Sequence, residues 1–418
     1  MNAQEYVKQI GQAARAASGE LAAASGQQRD EAIRACAAEL RRSSDELQQA
    51  NAKDIEAGRS AGLSDAMLDR LKLSDKEIAK MAAALEAIAQ QTDPVGQTIA
   101  GYNRPNGLRV EKRRVPLGVI AIIYESRPNV TTDAAGLCLK SGNACILRGG
   151  KESIHSNTAI GQCIRRALAS AKLPAAAVTL VETTDRQVVT ELARAEGLVD
   201  LIMPRGGESL IRAVVEAATI PVIKHYTGNC HVYVHEQADL AMAREIILNA
   251  KTQRPGVCNA AETLLVDAAI AGKFLPDAAK ALAAAGVELR GCERSRQIVP
   301  AMKAAVEADW SAEYLALILA VKVVDGLDDA VAHINKYGSH HTDAIVTDSA
   351  SAAQRFTMLV DSASVMVNAS TRFSDGGEYG LGAEIGISTD KLHARGPMGA
   401  DDLTTYKWIV TGAGHLRQ

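Results

Sequence analysis

Val119-Ile120-Ala121-Ile122-Ile123, then helical spacing from Thr132 to Lys140, then Ala144-Cys145-Ile146-Leu147, then helical spacing again from Ser153 to Ala171, decides the fold class. The apolar runs are short, continuous and rich in β-branched residues, whereas the stretches between them repeat with helical period. A strand apolar on both faces needs cover on both. A helix between successive strands also sets them parallel. Val178-Thr179-Leu180-Val181, Leu198-Val199-Asp200-Leu201-Ile202 and Pro221-Val222-Ile223 continue the series. The reading is an α/β fold whose parallel sheet takes ligands at the carboxyl ends of its strands.

Toward the C-terminus a second α/β segment runs from about 232 to 367, with strands near Thr263-Leu264-Leu265-Val266, Leu317-Ile318-Leu319-Ala320-Val321 and Ala344-Ile345-Val346. Toward the N-terminus, residues 3 to about 92 read as helix throughout, alanine-rich and suited to close packing. Between helix and sheet, Thr98-Ile99-Ala100-Gly101-Tyr102 and Leu108-Arg109-Val110-Glu111-Lys112-Arg113 flank Asn103-Arg104-Pro105-Asn106-Gly107, a hairpin signal polar on both faces. Such a hairpin projects from the body and needs a partner. The tail, Thr404-Thr405-Tyr406-Lys407-Trp408-Ile409-Val410-Thr411, reads as one more strand able to pair with it, within the chain or across a subunit boundary. No internal repeat, low-complexity tract or long linker interrupts the chain.

Composition narrows the function class. At 418 residues the chain exceeds one ordinary core and points to two domains. Net charge is −3 with 3% aromatics and no basic stretch, so nothing here asks for nucleic acid. No apolar run reaches the roughly 18 residues of a membrane span. Seven cysteines, an odd number without paired spacing, accompany a start that lacks a basic-then-apolar leader. That pattern fits reduced thiols and a cytoplasmic location.

Several places carry candidate chemistry. Cys258 follows Gln253-Arg254-Pro255-Gly256-Val257, where proline presets one dihedral and glycine frees the next. A thiol on such a turn, beside its own backbone N–H, suits covalent acyl transfer; the alternative is a buried structural cysteine. No G-x-G-x-x-G and no P-loop occur. Two phosphate candidates stand at strand ends. Met203-Pro204-Arg205-Gly206-Gly207-Glu208-Ser209 opens a helix, as an ordinary strand-to-helix turn also does. Leu147-Arg148-Gly149-Gly150-Lys151 carries two cations that suit an adenosine 2′-phosphate and tilt a nicotinamide cofactor toward NADP. The spacing of His225, Cys230, His231 and His235 fits no zinc pattern, and no metal is expected. His333, His340 and His341 fall between a helix and a strand, as a site or as a polar helix cap.

The chain resembles the gamma-glutamyl phosphate reductase family, a branch of the aldehyde dehydrogenase superfamily, along essentially its whole length. The most specific piece runs from Val324 and Ala330 through His333-Ile334 and Tyr337-Gly338-Ser339-His340 to Thr342-Asp343-Ala344-Ile345. Tyr124-Glu125-Ser126-Arg127-Pro128-Asn129, His225-Tyr226-Thr227-Gly228-Asn229-Cys230-His231 and the Cys258 segment support it. The resemblance implies an aldehyde dehydrogenase-like α/β fold. A Rossmann-like NADP-binding domain would span 1–97 and 117–228, a catalytic α/β domain 229–395, and a small β oligomerisation element 98–116 and 400–418.

It also implies NADPH-dependent reduction of L-glutamate 5-phosphate to L-glutamate 5-semialdehyde with release of phosphate, the second step of proline biosynthesis. Cys258 would be the nucleophile and Asn129 an oxyanion donor. Arg148, Lys151, Gly206, Gly207 and Glu313 would meet the cofactor, with Glu313 on the nicotinamide ribose. Arg127 and Arg254, and less directly Arg372, would meet the substrate's anionic ends. Hydrolytic aldehyde dehydrogenases carry a glutamate base in a Glu-Leu-Gly-Gly segment; the matching Tyr226-Thr227-Gly228-Asn229 has no carboxylate, so phosphate rather than water accepts the acyl group. A CoA-acylating dehydrogenase lacks that base too and is the rival enzyme reading. A non-catalytic scaffold on the same fold is the third. The resemblance further implies a homo-oligomer, a dimer or dimer of dimers, and leaves room for association with the glutamate 5-kinase that makes the unstable acyl phosphate.

Overall fold

The computed structural model describes residues 2–125 and 127–417, so Ser126 of the Tyr124–Asn129 motif lies outside the described residues. The chain divides into two compact units. One comprises Met1–Lys224, Gly380–Gly386 and Met398–Gln418, and the other His225–Tyr379 and Ile387–Pro397.

In the first unit the N-terminal helical stretch breaks into Ala3–Ala23, Gly26–Arg42, Ser44–Ser60, Asp65–Leu71 and Asp75–Gln90. The breaks fall at polar caps. Ser25, Ser64 and Ser74 each accept a backbone N–H from the first turn of the following helix. Asn2 and Glu5 close a reciprocal capping box on the first helix. Single-period reading merges such helices because the alanine-rich pattern runs across the caps.

The four-stranded sheet has the order Val178–Leu180, Ala144–Arg148, Val119–Tyr124, Leu201–Arg205, and every pair is parallel. Val119–Tyr124 is buried along its whole length, as the continuous apolar run requires. Two sequence expectations need correction. The strand expected at Leu198–Ile202 lies at Leu201–Arg205, so Met203, Pro204 and Arg205 belong to the strand rather than to the turn after it. Proline lacks a ladder N–H and reads as a strand breaker, but it is tolerated on this outer strand. Pro221–Ile223 supplies only an isolated bridge, Val222 to Ile202, instead of a full strand.

The hairpin Thr98–Asn103 and Arg109–Pro116 pairs antiparallel, and the tail Thr404–Thr411 completes a three-stranded sheet by pairing with Arg109–Pro116 in the same chain. Thr98–Asn103 is exposed throughout, and Tyr406, Trp408 and Val410 of the tail are also exposed.

The second unit is built on seven parallel strands in the order Lys303–Ala304, Glu288–Gly291, Ile318–Val324, Ala261–Asp267, Cys230–Val234, Thr342–Val346, Ser364–Val367. Helices Leu240–Thr252 and Ala268–Ala284 bury one face through Ile247, Phe274, Leu275 and Leu282. Leu327–Tyr337 and Ala350–Leu359 bury the other through Ile334 and Phe356, which pack with Tyr233, Leu265 and Ile345. No helix among the described residues is long and apolar enough to cross a membrane.

Candidate active site

Cys258 lies in the turn between helix Leu240–Thr252 and strand Ala261–Asp267, half-buried, as a thiol on a turn should be. Its carbonyl oxygen accepts a hydrogen bond from the Cys230 thiol at 3.2 Å. Burial pushes the Cys230 thiol well above its usual range, so it stays protonated and donates. The two neighbouring sulfurs therefore differ in kind: one a fixed donor, the other partly open to solvent. The amide of Cys258 has no hydrogen-bond partner among the described residues.

The turn is held from both sides. Arg372 donates through Nε to Gln253 Oε1 at 2.8 Å and through Nη1 to Asn259 Oδ1. Asn259 Nδ2 donates to the Ser374 carbonyl at 2.9 Å, and Thr371 Oγ1 donates to the Asn259 carbonyl at 2.7 Å. Burial, reinforced by the nearby Arg254 charge, holds the Arg372 guanidinium below its ordinary range. Arg372 acts here as a clamp on the turn. Arg254 is exposed on the same turn.

Against this turn lies Gly228. A methyl carbon on Gly228 would stand 1.9 Å from the Cys258 carbonyl oxygen and 2.4 Å from its Cα. No side chain fits there, so the chain passes the Cys258 turn at Gly228 as bare backbone. The Gly228 N–H donates to Glu313 Oε1 at 2.8 Å, which brings the half-buried Glu313 to the Cys258 region. Two residues on, Leu315 holds a left-handed backbone (φ 52), a conformation costing about 1–2 kcal/mol without glycine. Its amide donates to Glu262 at 3.3 Å, and Glu262 pairs with Lys251 at 2.6 Å, both fully buried. Burial pushes Glu262 up to about 7 and Lys251 down, so each depends on the other for its charge.

Two residues with no role assigned from sequence join Cys258. His225, Cys258 and His341 each bring one donor atom to within 4.8 Å of the other two. The His225 and His341 rings meet edge to face at 5.5 Å. The histidines grouped by sequence separate in space: His231 Nδ1 pairs with Asp343 at 2.8 Å, and His235 Nδ1 meets Thr347 Oγ1 at 2.9 Å. Of the run after helix Leu327–Tyr337, His333 is buried beside Lys322, and His340, itself left-handed (φ 60), meets the Asp361 carbonyl at 2.6 Å. Only His341 reaches the thiol. Residues 83 positions apart give no local signal, so His341 was legible only as part of a dense run.

In the first unit, Asn129 is exposed in the opening turn of helix Pro128–Lys140, with Arg127 as its N-cap residue. Asn129 Nδ2 donates to Asp133 Oδ2 at 3.1 Å. Arg148 ends its strand half-buried, and Lys151 opens the following turn exposed. Gly206 and Gly207 precede helix Glu208–Ala217, but an anion already sits there: the Gly207 N–H donates to Glu125 Oε2 at 2.9 Å.

The aldehyde dehydrogenase family profile matches residues 1–306. The gamma-glutamyl phosphate reductase of Moorella thermoacetica is 55% identical over 418 residues, covering 100% of both chains. That of Thermobifida fusca is 56% identical over 411 residues, 98% of each. The solved gamma-glutamyl phosphate reductase of Thermotoga maritima matches with a TM-score of 0.97 at 47% identity, covering 99% of this chain and 100% of its own. An acetylating aldehyde dehydrogenase from Geobacillus thermoglucosidasius, 18% identical, reaches a TM-score of 0.69 over 100% of this chain and 98% of its own, a likeness of fold alone. The chain belongs to the aldehyde dehydrogenase family and is an oxidoreductase of nicotinamide-dependent type. Within that family it stands with the gamma-glutamyl phosphate reductases.

Proposed function

We infer that this chain reduces L-glutamate 5-phosphate to L-glutamate 5-semialdehyde with NADPH and releases phosphate, the second step of L-proline biosynthesis from glutamate. The observation that carries the reading is the half-buried Cys258 thiol on its turn, beside a Tyr226-Thr227-Gly228-Asn229 segment that holds no carboxylate. An acyl-enzyme formed there has no carboxylate at positions 226–229 to activate water, so phosphate is the proposed exchange partner.

In the proposed sequence the Cys258 thiolate attacks the acyl carbon and the phosphate oxygen leaves with the bonding pair, giving a thioester. The Cys258 amide and the Asn129 side chain donate to the oxyanion at each tetrahedral stage. Bound NADPH supplies hydride to the thioester carbon. The resulting oxyanion collapses to the aldehyde and returns the thiolate.

Arg148 and Lys151, two cations at a strand end, fit the phosphates of the cofactor, and the glycines at 206 and 207 leave backbone room once Glu125 yields its place. Glu313 is assigned to the nicotinamide ribose, and Arg127 and Arg254 to the substrate's carboxylate and phosphate. The cytoplasm is the proposed location. The hairpin and tail, with Tyr406, Trp408 and Val410 exposed, are the proposed surface for a dimer or dimer of dimers. Association with the kinase that supplies the acyl phosphate is compatible with that substrate's instability.

The test is the reverse reaction with glutamate semialdehyde, NADP⁺ and inorganic phosphate, beside Cys258→Ala. Phosphate-dependent reduction of the nicotinamide that vanishes in the variant is expected. Turnover without phosphate would defeat the missing-base argument, and turnover with CoA in place of phosphate would transfer the chain to the CoA-linked reading.

A further inference from the structure

We propose that Cys258, His225 and His341 form a binding site for a soft divalent cation, with zinc as its probe, and that the bound metal occludes the thiolate. Each residue contributes one donor atom, and the three lie within 4.8 Å of one another. Zinc bonded to sulfur at about 2.3 Å and to nitrogen at about 2.0–2.1 Å in tetrahedral geometry sets such donors roughly 3.3–3.6 Å apart. The cluster needs only a contraction on the order of 1 Å to reach that spacing.

The orientation of the rings favours it. His225 Nδ1 stands 2.9 Å from the Ile387 carbonyl oxygen. A carbonyl only accepts, so Nδ1 carries the proton and Nε2 is left with its lone pair. Metal-binding histidines are commonly fixed in this way, with the second ring N–H tied to a backbone carbonyl. His341 Nδ1 lies 2.9 Å from Thr342 Oγ1, which can donate or accept, and 3.8 Å from Cys230 Sγ. His341 is fully buried, whereas His225 and Cys258 are half-buried, so the site has a rigid floor and an open side. A thiolate with two imidazoles and no carboxylate suits zinc over magnesium or calcium, and three protein ligands leave a fourth position for water. Cys230 lies beside the site, its thiol proton donated to the Cys258 carbonyl and its sulfur 3.8 Å from His341 Nδ1.

Binding is independent of the function inferred above; only the inhibitory consequence rests on Cys258 being the nucleophile. The experiment therefore separates them. Metal-free protein is titrated with zinc by calorimetry and, in parallel, with cobalt(II) while the thiolate-to-cobalt charge-transfer band is followed. One equivalent should bind at micromolar concentration or tighter, with the band present in the wild type and absent in Cys258→Ala. His225→Ala and His341→Ala should each weaken binding by at least about tenfold, since loss even of an outer-shell partner costs 10–100-fold. Cys292→Ser, at a half-buried thiol outside the cluster, should change nothing. In the reverse reaction, zinc should abolish turnover and a chelator should restore it.

No binding by the wild type at tens of micromolar zinc overturns the proposal, as does a charge-transfer band that survives Cys258→Ala. If the buried His341→Ala fails to fold, His225→Ala and the wild-type cobalt spectrum still decide the matter. A protein that binds zinc as described but lacks reductase activity keeps the site and loses only the function.

Discussion

Replacing Gly228 with alanine should disable the enzyme while leaving it folded. The added methyl would sit 1.9 Å from the Cys258 carbonyl oxygen, where 3.0 Å is the closest such atoms come, so one segment must retreat by about 1 Å. Neither moves freely. Gly228 is tethered to Glu313 at 2.8 Å, and the Cys258 turn is clamped by Arg372. The displacement therefore reaches the thiol proposed as the nucleophile. A misplacement of about 1 Å typically costs on the order of 10²-fold in rate.

The assay is the phosphate-dependent reverse reaction, with thermal unfolding measured alongside and iodoacetamide stoichiometry at Cys258 as a check that the thiol persists. Gly256→Ala is the matched control: it lies two residues from Cys258, yet the closest approach its methyl makes is 3.8 Å, to the Leu315 carbonyl oxygen. Expected are a loss of 10²-fold or more at 228 and a change within about threefold at 256. A Gly228→Ala enzyme with near-normal kcat would show that the turn is not the rigid seat described here.

Other outcomes follow from the same geometry. Asn129→Ala should lower kcat by about 10²–10³ with a smaller effect on KM; an unchanged kcat would remove Asn129 from the oxyanion site. Arg148→Ala and Lys151→Ala should raise the KM for NADP⁺ by about 10-fold or more and that for NAD⁺ much less, since a charge-assisted hydrogen bond is worth about 1.5–3 kcal/mol. Equal effects on both cofactors would reject a 2′-phosphate role. Glu262→Ala strands the buried Lys251 and should cost about 3–5 kcal/mol of stability, with Glu262→Gln costing less; a loss under about 1 kcal/mol in urea unfolding would mean that Lys251 finds another partner. Burial, then the neighbouring His231 and Lys322 charges, push the His333 imidazole down to about 2. Its folded-state value is depressed, so its contribution to stability is complete above about pH 6.5 and is lost as pH falls, at up to about 1.4 kcal/mol per unit. The wild type should lose stability between pH 6.5 and 4 more steeply than His333→Gln, and parallel curves would refute the assignment.

The parallel sheet was legible where strands are buried on both faces. Val119–Tyr124 and Ala144–Arg148 stand within a residue of their apolar runs, because no polar residue interrupts them. The tail strand Thr404–Thr411 keeps the bounds read from sequence, since its alternation is bounded by Leu403 and Gly412. Legibility fell where one residue type carries two meanings. Pro204 signals a break, yet it sits in an outer strand, which moved that strand by three residues. Glu288–Gly291 and Lys303–Ala304 carry too few apolar residues to announce themselves. At the site, the open turn carrying Cys258 showed itself in its local sequence. His341 and Gly228 did not, because their importance is a distance to Cys258 that only the folded sheet creates.

The clamp on the Cys258 turn bears on how the molecule comes into being. Its donors and acceptors, Thr371, Arg372 and Ser374, lie 112–115 residues beyond the Asn259 they hold. A growing chain that has delivered the thiol still lacks the parts that fix it, and closing so long a loop is slow and comes late in folding. The Cys258 turn is thus fixed by residues that come after position 370. Truncated products should carry an ordinary, unpositioned thiol, and chemical competence should arrive in a single late step.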